Sequence, residues 1–217
     1  MRDPHAAISR VLFFMRGDLE EIALREERNP RSSFPAILTC FAGMDFLGAF
    51  LLHEPRSGNE KRILAFLRGP MVMVDKRYGI IAKGLYRKLR VPLAHCGTVA
   101  GYFMVESDAS FREKHLTRVN RDGLQYVVLH TASFVAGFLA AADTVQGDLK
   151  NRPLIELTET LDEILPARYT KPPMSIPPYV RTDPTPTTAD ASWGAFQRPP
   201  DRMGTCVEDT PGWPSHS

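Results

Sequence analysis

A chain of 217 residues that is 43% apolar and 24% charged, with a formal net charge of +2, has the composition of an ordinary soluble globular protein. It is long enough for one sizeable domain plus a tail, or for two small domains. Three distant cysteines, Cys40, Cys96 and Cys206, with no CxxC, argue against a disulfide framework and for a reducing, cytoplasmic compartment. None of the six histidines pairs with another or with a cysteine at helical ligand spacing, and Cys96 beside His95 makes no metal site. No metal and no cofactor are expected.

No signal peptide is legible, since Arg2 and Asp3 open the chain and the apolar cluster Val11 to Met15 is too short before Arg16 and Asp18. The run from Phe34 to Leu52 has about the length of a membrane span. Asp45 in its middle costs about 2.5–3.5 kcal/mol on insertion scales. The run from Tyr126 to Val145 carries His130 and Asp143. With a mean hydropathy of −0.20, both read as buried core helices, and no membrane partner is expected.

In chain order, Ile8, Val11, Leu12, Met15, Leu19 and Ile22 fall at helical spacing, so Ala6 to Arg28 reads as an amphipathic surface helix with an acidic outer face. Asn29-Pro30 ends it. Ser32 or Ser33 caps the next helix, with Pro35 in its first turn. That helix, Phe34 to His53, is apolar all round and is expected at the centre of the fold. Asp45 on it needs a donor, because an unpaired buried carboxylate is very costly. The donor is a tyrosine, a lysine or a backbone amide; in a functional role it is Arg90 or His95, which the carboxylate would orient.

Glu54 to Gly58 is a turn, and a short helix runs from Glu60 to Arg68 before Gly69-Pro70. Met71 to Tyr78 reads as irregular or as a single short turn of helix. Gly79 to His95 is a helix, with Ile81, Leu85, Leu89, Leu93 and Cys96 forming one buried stripe. Pro92 has no amide hydrogen to give to Lys88 and crowds its carbonyl, so the helix is expected to bend or loosen between Lys88 and Pro92. Val99, Tyr102, Met104 and Val105 are strand-like, Leu116 and Val119 suggest a returning strand, and a last short strand spans Gln125 to Val128, read together as a small β-hairpin. His130 to Lys150 and Leu154 to Leu165 are helices, the second opened by Pro153.

The composition breaks at Pro166. Eleven of the 18 prolines lie from Pro166 onward, so residues 166–217 read as a disordered, Pro-rich tail carrying the isolated aromatics Trp193, Phe196 and Trp213. Residues 1–165 form the mainly α domain, a helical bundle with a small hairpin insertion.

The chemistry-bearing stretch is Leu85 to Gly97. At about 100° per residue, Arg87 falls opposite the buried stripe, and Arg90 and His95 flank it about 140° apart on an ideal helix. Between Glu60 and His95 stand Lys61, Arg62, Arg68, Lys76, Arg77, Lys83, Arg87, Lys88 and Arg90, opposed only by Glu60 and Asp75. Such an excess draws a phosphate-bearing partner. In a purely structural role, Arg90 pairs with Asp45 or an exposed acid, and His95 meets the dipole at the helix C-terminus.

Arg90-x4-His95 near a helix end resembles the signature of the HEPN superfamily, the helical domains of many bacterial RNases, toxins and antiphage systems. The apolar helix around Asp45, followed by Leu85-Tyr86-x3-Arg90-x4-His95 and a hairpin, extends the likeness over residues 34–150. Val91 and Pro92 depart from the family's pattern, in which the residue after the arginine is often polar. The resemblance implies a homodimer in which two signatures line one cleft and RNA is cut without metal. Arg90 then binds the scissile phosphate and His95 moves a proton. Arg87, Lys88 and Lys83 hold flanking phosphates, Tyr86 orients His95, and Asp45 supports the pair from behind. It also implies an antitoxin or other protein partner, or, where the fold binds without cutting, a nucleotide-, RNA- or protein-binding module.

Overall fold

Helix α1 (Pro4–Glu26) and helix α2 (Ser33–Leu52) open a chain that is mainly α in this computed structural model, which describes residues 3–26, 33–52, 54, 56–99 and 101–164. The Pro-rich tail expected at 166–217 lies outside the described residues. There follow α3 (Asn59–Arg68), α4 (Pro70–Val74), α5 (Arg77–Gly84), a π-helical segment (Leu85–Arg90) and α6 (Val91–Cys96). A three-stranded sheet of β1 (Phe103–Glu106), β2 (Arg118–Arg121) and β3 (Leu124–His130) precedes α7 (Thr131–Leu149) and α8 (Leu154–Ile164).

Helix α2 goes to the centre because no face of it is polar. It packs against α1, α3, α7 and α8, and its Ile37, Cys40, Phe41, Met44 and Leu47 are buried. By length and composition it is apolar enough to cross a membrane, yet 56% of that stretch is covered by the rest of the protein. Its Gly48 lies where α3 passes closest: a Cβ there would collide with the backbone carbonyl of Arg62. Phe66 of α3 and Phe138 of α7 meet at 5.8 Å, tilted, within the single core that all these helices share.

Between Met71 and Tyr78 the chain forms helix α4 and a two-residue turn. Pro70 stands in the first turn of α4, where a missing N–H costs nothing. Asp75 accepts from the backbone N–H of Arg77 at 2.9 Å, which starts α5.

The loosening expected near Pro92 is present, one turn earlier. The N–H of Val91 reaches back five residues to the carbonyl of Tyr86, the π pattern. A regular helix resumes at Val91, which puts Pro92 in the first turn of α6 rather than mid-helix. Leu85, Leu89 and Leu93 are buried as their spacing predicts. Ile81 is only half-buried and Cys96 is exposed, so the stripe is shorter than the sequence suggests. Gly97, at φ 63°, closes α6 in the left-handed conformation, its N–H bonded to the Leu93 carbonyl.

The hairpin is found, but between β2 and β3, antiparallel with Val119 opposite Tyr126. Asp122 and Gly123 turn it, both at positive φ (55° and 79°), as a two-residue primed turn requires. The first strand-like stretch is not part of the hairpin. It adds to the far side of β3 as a parallel partner, giving the order β1-β3-β2 with Phe103 opposite Val127. Phe103 anchors the sheet beside Gly84 at the end of α5, and β3 runs directly into α7.

Candidate functional site

Helix α5, the π segment and α6 together present the basic residues expected to hold phosphates. Lys83, Arg87 and Lys88 are exposed, Arg90 is half-buried, and His95 is exposed in the last turn before Gly97. Arg87 is engaged with Glu60, Nη2 to Oε1 at 3.1 Å. That pair lies in solvent and is worth little, so a polyanion can take the guanidinium over. Lys83 and Lys88 form no ion pair among the described residues. The guanidinium of Arg90 rests over the ring of Tyr86, 5.8 Å from its centroid, with Tyr86 buried beneath it. A cation on an aromatic face keeps its charge while losing rotational freedom.

Two residues assigned to support His95 are placed elsewhere. The hydroxyl of Tyr86 donates to Asn59 Oδ1 at 2.7 Å, tying the π segment to the start of α3. Asp45 takes both oxygens to Arg62: Nε donates to Oδ1 at 2.7 Å and Nη2 to Oδ2 at 3.1 Å. The reason is the close α2–α3 approach at Gly48, which brings an arginine on α3 within reach before any group of α6. The carboxylate therefore found its donor, and that donor is neither Arg90 nor His95. Asp45→Asn is expected to lower stability by about 1–2 kcal/mol, the range for a charge-assisted pair that is partly exposed. Affinity of the basic run for polyanions should be unchanged; denaturant titration and a filter-binding assay check the two halves of this expectation.

A second group of chemically capable residues was not singled out from the sequence. His115, on the loop before β2, is buried. Its Nδ1 accepts from the backbone N–H of His130 at 3.1 Å, so the neutral ring carries its proton on Nε2 and donates it to the Tyr78 hydroxyl at 2.9 Å. Burial holds the His115 imidazole down at about 4, with the nearby His130 and Arg77 acting in the same direction and Asp75 against them. Burial likewise pushes the Tyr78 phenol up. Arg77 frames the group by donating to the His115 carbonyl at 2.8 Å while its Nη2 holds Asp75 Oδ2 at 2.6 Å. That arginine keeps the Asp75 carboxyl below the usual range.

His130 ends β3 and caps α7. Its Nδ1 accepts from the Ser133 N–H at 3.3 Å and lies 2.8 Å from Ser133 Oγ. Its other ring nitrogen is buried and makes no hydrogen bond among the described residues. Burial, then Arg112, lowers its pKa. With 1% of its surface exposed, the His130 ring reaches no substrate, and the cluster's chemistry is structural. The legible signal was the position of His130 immediately before a helix start, where an imidazole nitrogen can serve as the cap. Nothing in local spacing marked His115.

No group of three or more metal-ligating side chains occurs among the described residues. Comparison with known proteins matched no family model, no curated protein and no solved structure.

Proposed function

We propose that this chain is an HEPN-like protein that acts on RNA as a homodimer, cutting it without metal through Arg90 and His95. The observation that carries the reading is one helical run on which Lys83, Arg87, Lys88 and Arg90 lead to a solvent-open His95. The basic side chains hold the phosphate backbone. Arg90, pre-oriented on Tyr86, takes the scissile phosphate and offsets the charge that builds in the transition state. The imidazole of His95 accepts the 2′-hydroxyl proton as the 2′-oxygen attacks phosphorus, and the 5′-oxygen leaves taking a proton from solvent water. The products are a 2′,3′-cyclic phosphate and a 5′-hydroxyl, and DNA, lacking the nucleophile, is spared. An antitoxin or other protein partner fits the same reading, as does a cytoplasmic setting.

A second reading, a module that binds RNA or nucleotide without cutting, is favoured by one observation. No described side chain hydrogen-bonds His95, so nothing fixes its tautomer or direction as a dedicated catalytic histidine requires. Single-stranded RNA incubated with the full chain and a chelator separates the two. Cleavage that falls 10²–10⁴-fold in both His95→Ala and Arg90→Ala supports the enzyme. Binding without cleavage, its affinity falling with salt at a log–log slope of roughly −3 for four phosphate contacts, supports the module. An absence of both binding and cleavage removes the reading.

A further inference from the structure

Helices α4 and α5 leave an apolar corner outside the core. Met71 and Tyr78 face inward, both reaching Gly137 of α7. Val72, the next residue on α4, packs on Gly79, the next on α5. One residue further along each helix, at about 200° from the inward one, Met73 and Ile80 stand on the outer side, 83% and 77% exposed. Val74, also exposed, ends α4 beside them. Lys76, Ile80, Lys83 and Arg87 are all exposed and follow one another at spacings of four, three and four, so a basic stripe runs along the outer side of α5 with the isoleucine inside it. Asp75 is the only acid between Pro70 and Arg90, and Arg77 holds it, Nη2 to Oδ2 at 2.6 Å. Lys76 and Lys83 make no ion pair among the described residues.

We propose that this corner adsorbs to an anionic lipid bilayer, Met73 and Ile80 entering the boundary between headgroups and acyl chains while Lys76, Lys83 and Arg87 meet the lipid phosphates and carboxylates. Aliphatic knobs set in a basic stripe are the interfacial pattern: the apolar side chains sink, and the long cationic stems keep their charge at headgroup level. RNA accounts for the cations and leaves the knobs unexplained. Bases stack on aromatic faces, and the aromatic side chains of this run, Tyr78 and Tyr86, are buried. An acidic protein would need a hollow shaped to both knobs, since side chains this exposed project from the surface rather than wall a groove. A fluid bilayer fits itself to such a projection, and each lysine beside an anionic leaflet strengthens the contact about five-fold. The contact is adsorption rather than spanning, because the long apolar helices α2 and α7 are spent within the core. It shares Lys83 and Arg87 with the RNA reading and rests on none of that reading's chemistry.

Co-sedimentation of the full chain with vesicles, in about 0.1 M salt, tests it. The vesicles are phosphatidylcholine alone or phosphatidylcholine mixed with phosphatidylserine. The wild type is expected on the mixed vesicles and not on the neutral ones. The double variant Met73→Ser with Ile80→Ser is expected to bind at least about ten-fold more weakly, with its helical circular dichroism unchanged because both side chains lie outside the core. Lys76→Gln, at a position the RNA reading does not use, should weaken binding about five-fold. A wild type that ignores the mixed vesicles overturns the proposal. So does a folded serine double variant that binds them as the wild type does, because that contact is charge alone. Binding to polyglutamate without binding to vesicles gives the corner to an acidic protein and overturns it too. RNA binding and cleavage by the serine double variant are expected at wild-type level, so the reading of Arg90 and His95 stands or falls separately.

Discussion

Gly48→Ala is expected to lower the free energy of unfolding by about 3 kcal/mol or more, the upper end for overpacking a core. On intrinsic propensity the change should help, because alanine is better than glycine in a helix by about 1 kcal/mol. The sign reverses because the new methyl meets the backbone carbonyl of Arg62 rather than a side chain that can rotate away. Helices α2 and α3 would have to separate, and the residue pushed back is the one whose guanidinium holds Asp45, one turn earlier on α2. Packing and ion pair are thus lost together. Gly147→Ala on α7, where a Cβ has open space, is the control and should be neutral or stabilising by up to about 1 kcal/mol. Urea titration of the two variants against wild type reads the difference, and equal stability in all three would refute the close crossing.

Acid should weaken the fold well before its carboxylates protonate. The unfolded chain holds its histidines near 6.5, whereas the folded protein holds His115 down at about 4. As pH falls, the unfolded state takes up the proton first. Stability that is complete above about 6.5 is lost on the way down to about 4, by roughly 3 kcal/mol from this one group. His130, shifted in the same direction by its own burial, adds to the loss. The geometry explains why the proton is refused: Nδ1 of His115 is already accepting from the His130 amide, and Nε2–H is already given to Tyr78. The charged neighbours, Arg77 and the Asp75 it clamps, are locked to each other. Unfolding free energies at pH 7, 5.5 and 4 test this, and His115→Gln should be less stable at pH 7 yet flatter across that range. A wild type that is flat down to pH 4 would place His115 in water.

The helical elements were legible because their apolar residues keep the helical period over several turns, as in Leu85, Leu89 and Leu93. The π segment was half legible: Pro92 announced a defect, but the widened turn relieves it upstream, between Leu85 and Arg90. Strand pairing was misread because β1 reaches β3 across a loop that contains the hairpin's first strand, and nothing local to Phe103–Glu106 encodes a parallel neighbour. Of the candidate site, Arg90, His95 and the exposed lysines were legible from a single helix. The partners of Asp45 and Tyr86 were not, because each lies on α3 and is selected by how closely α2 and the π segment approach it. The Tyr78–His115–His130 cluster joins three separate elements, beyond the reach of any periodicity.

Leu93 is the one residue of α6 that is fully buried. Upstream, the widened turn replaces standard helical bonding with a looser ladder; downstream, a left-handed glycine frees the chain. The terminal turn is held to the bundle by Leu93, with Val91 packed against the core at its start, while His95 and Cys96 stand clear of it. A change of side chain at His95 therefore alters the exposed tip without touching the packed interior, so the chemistry offered there and global folding strength are separable properties.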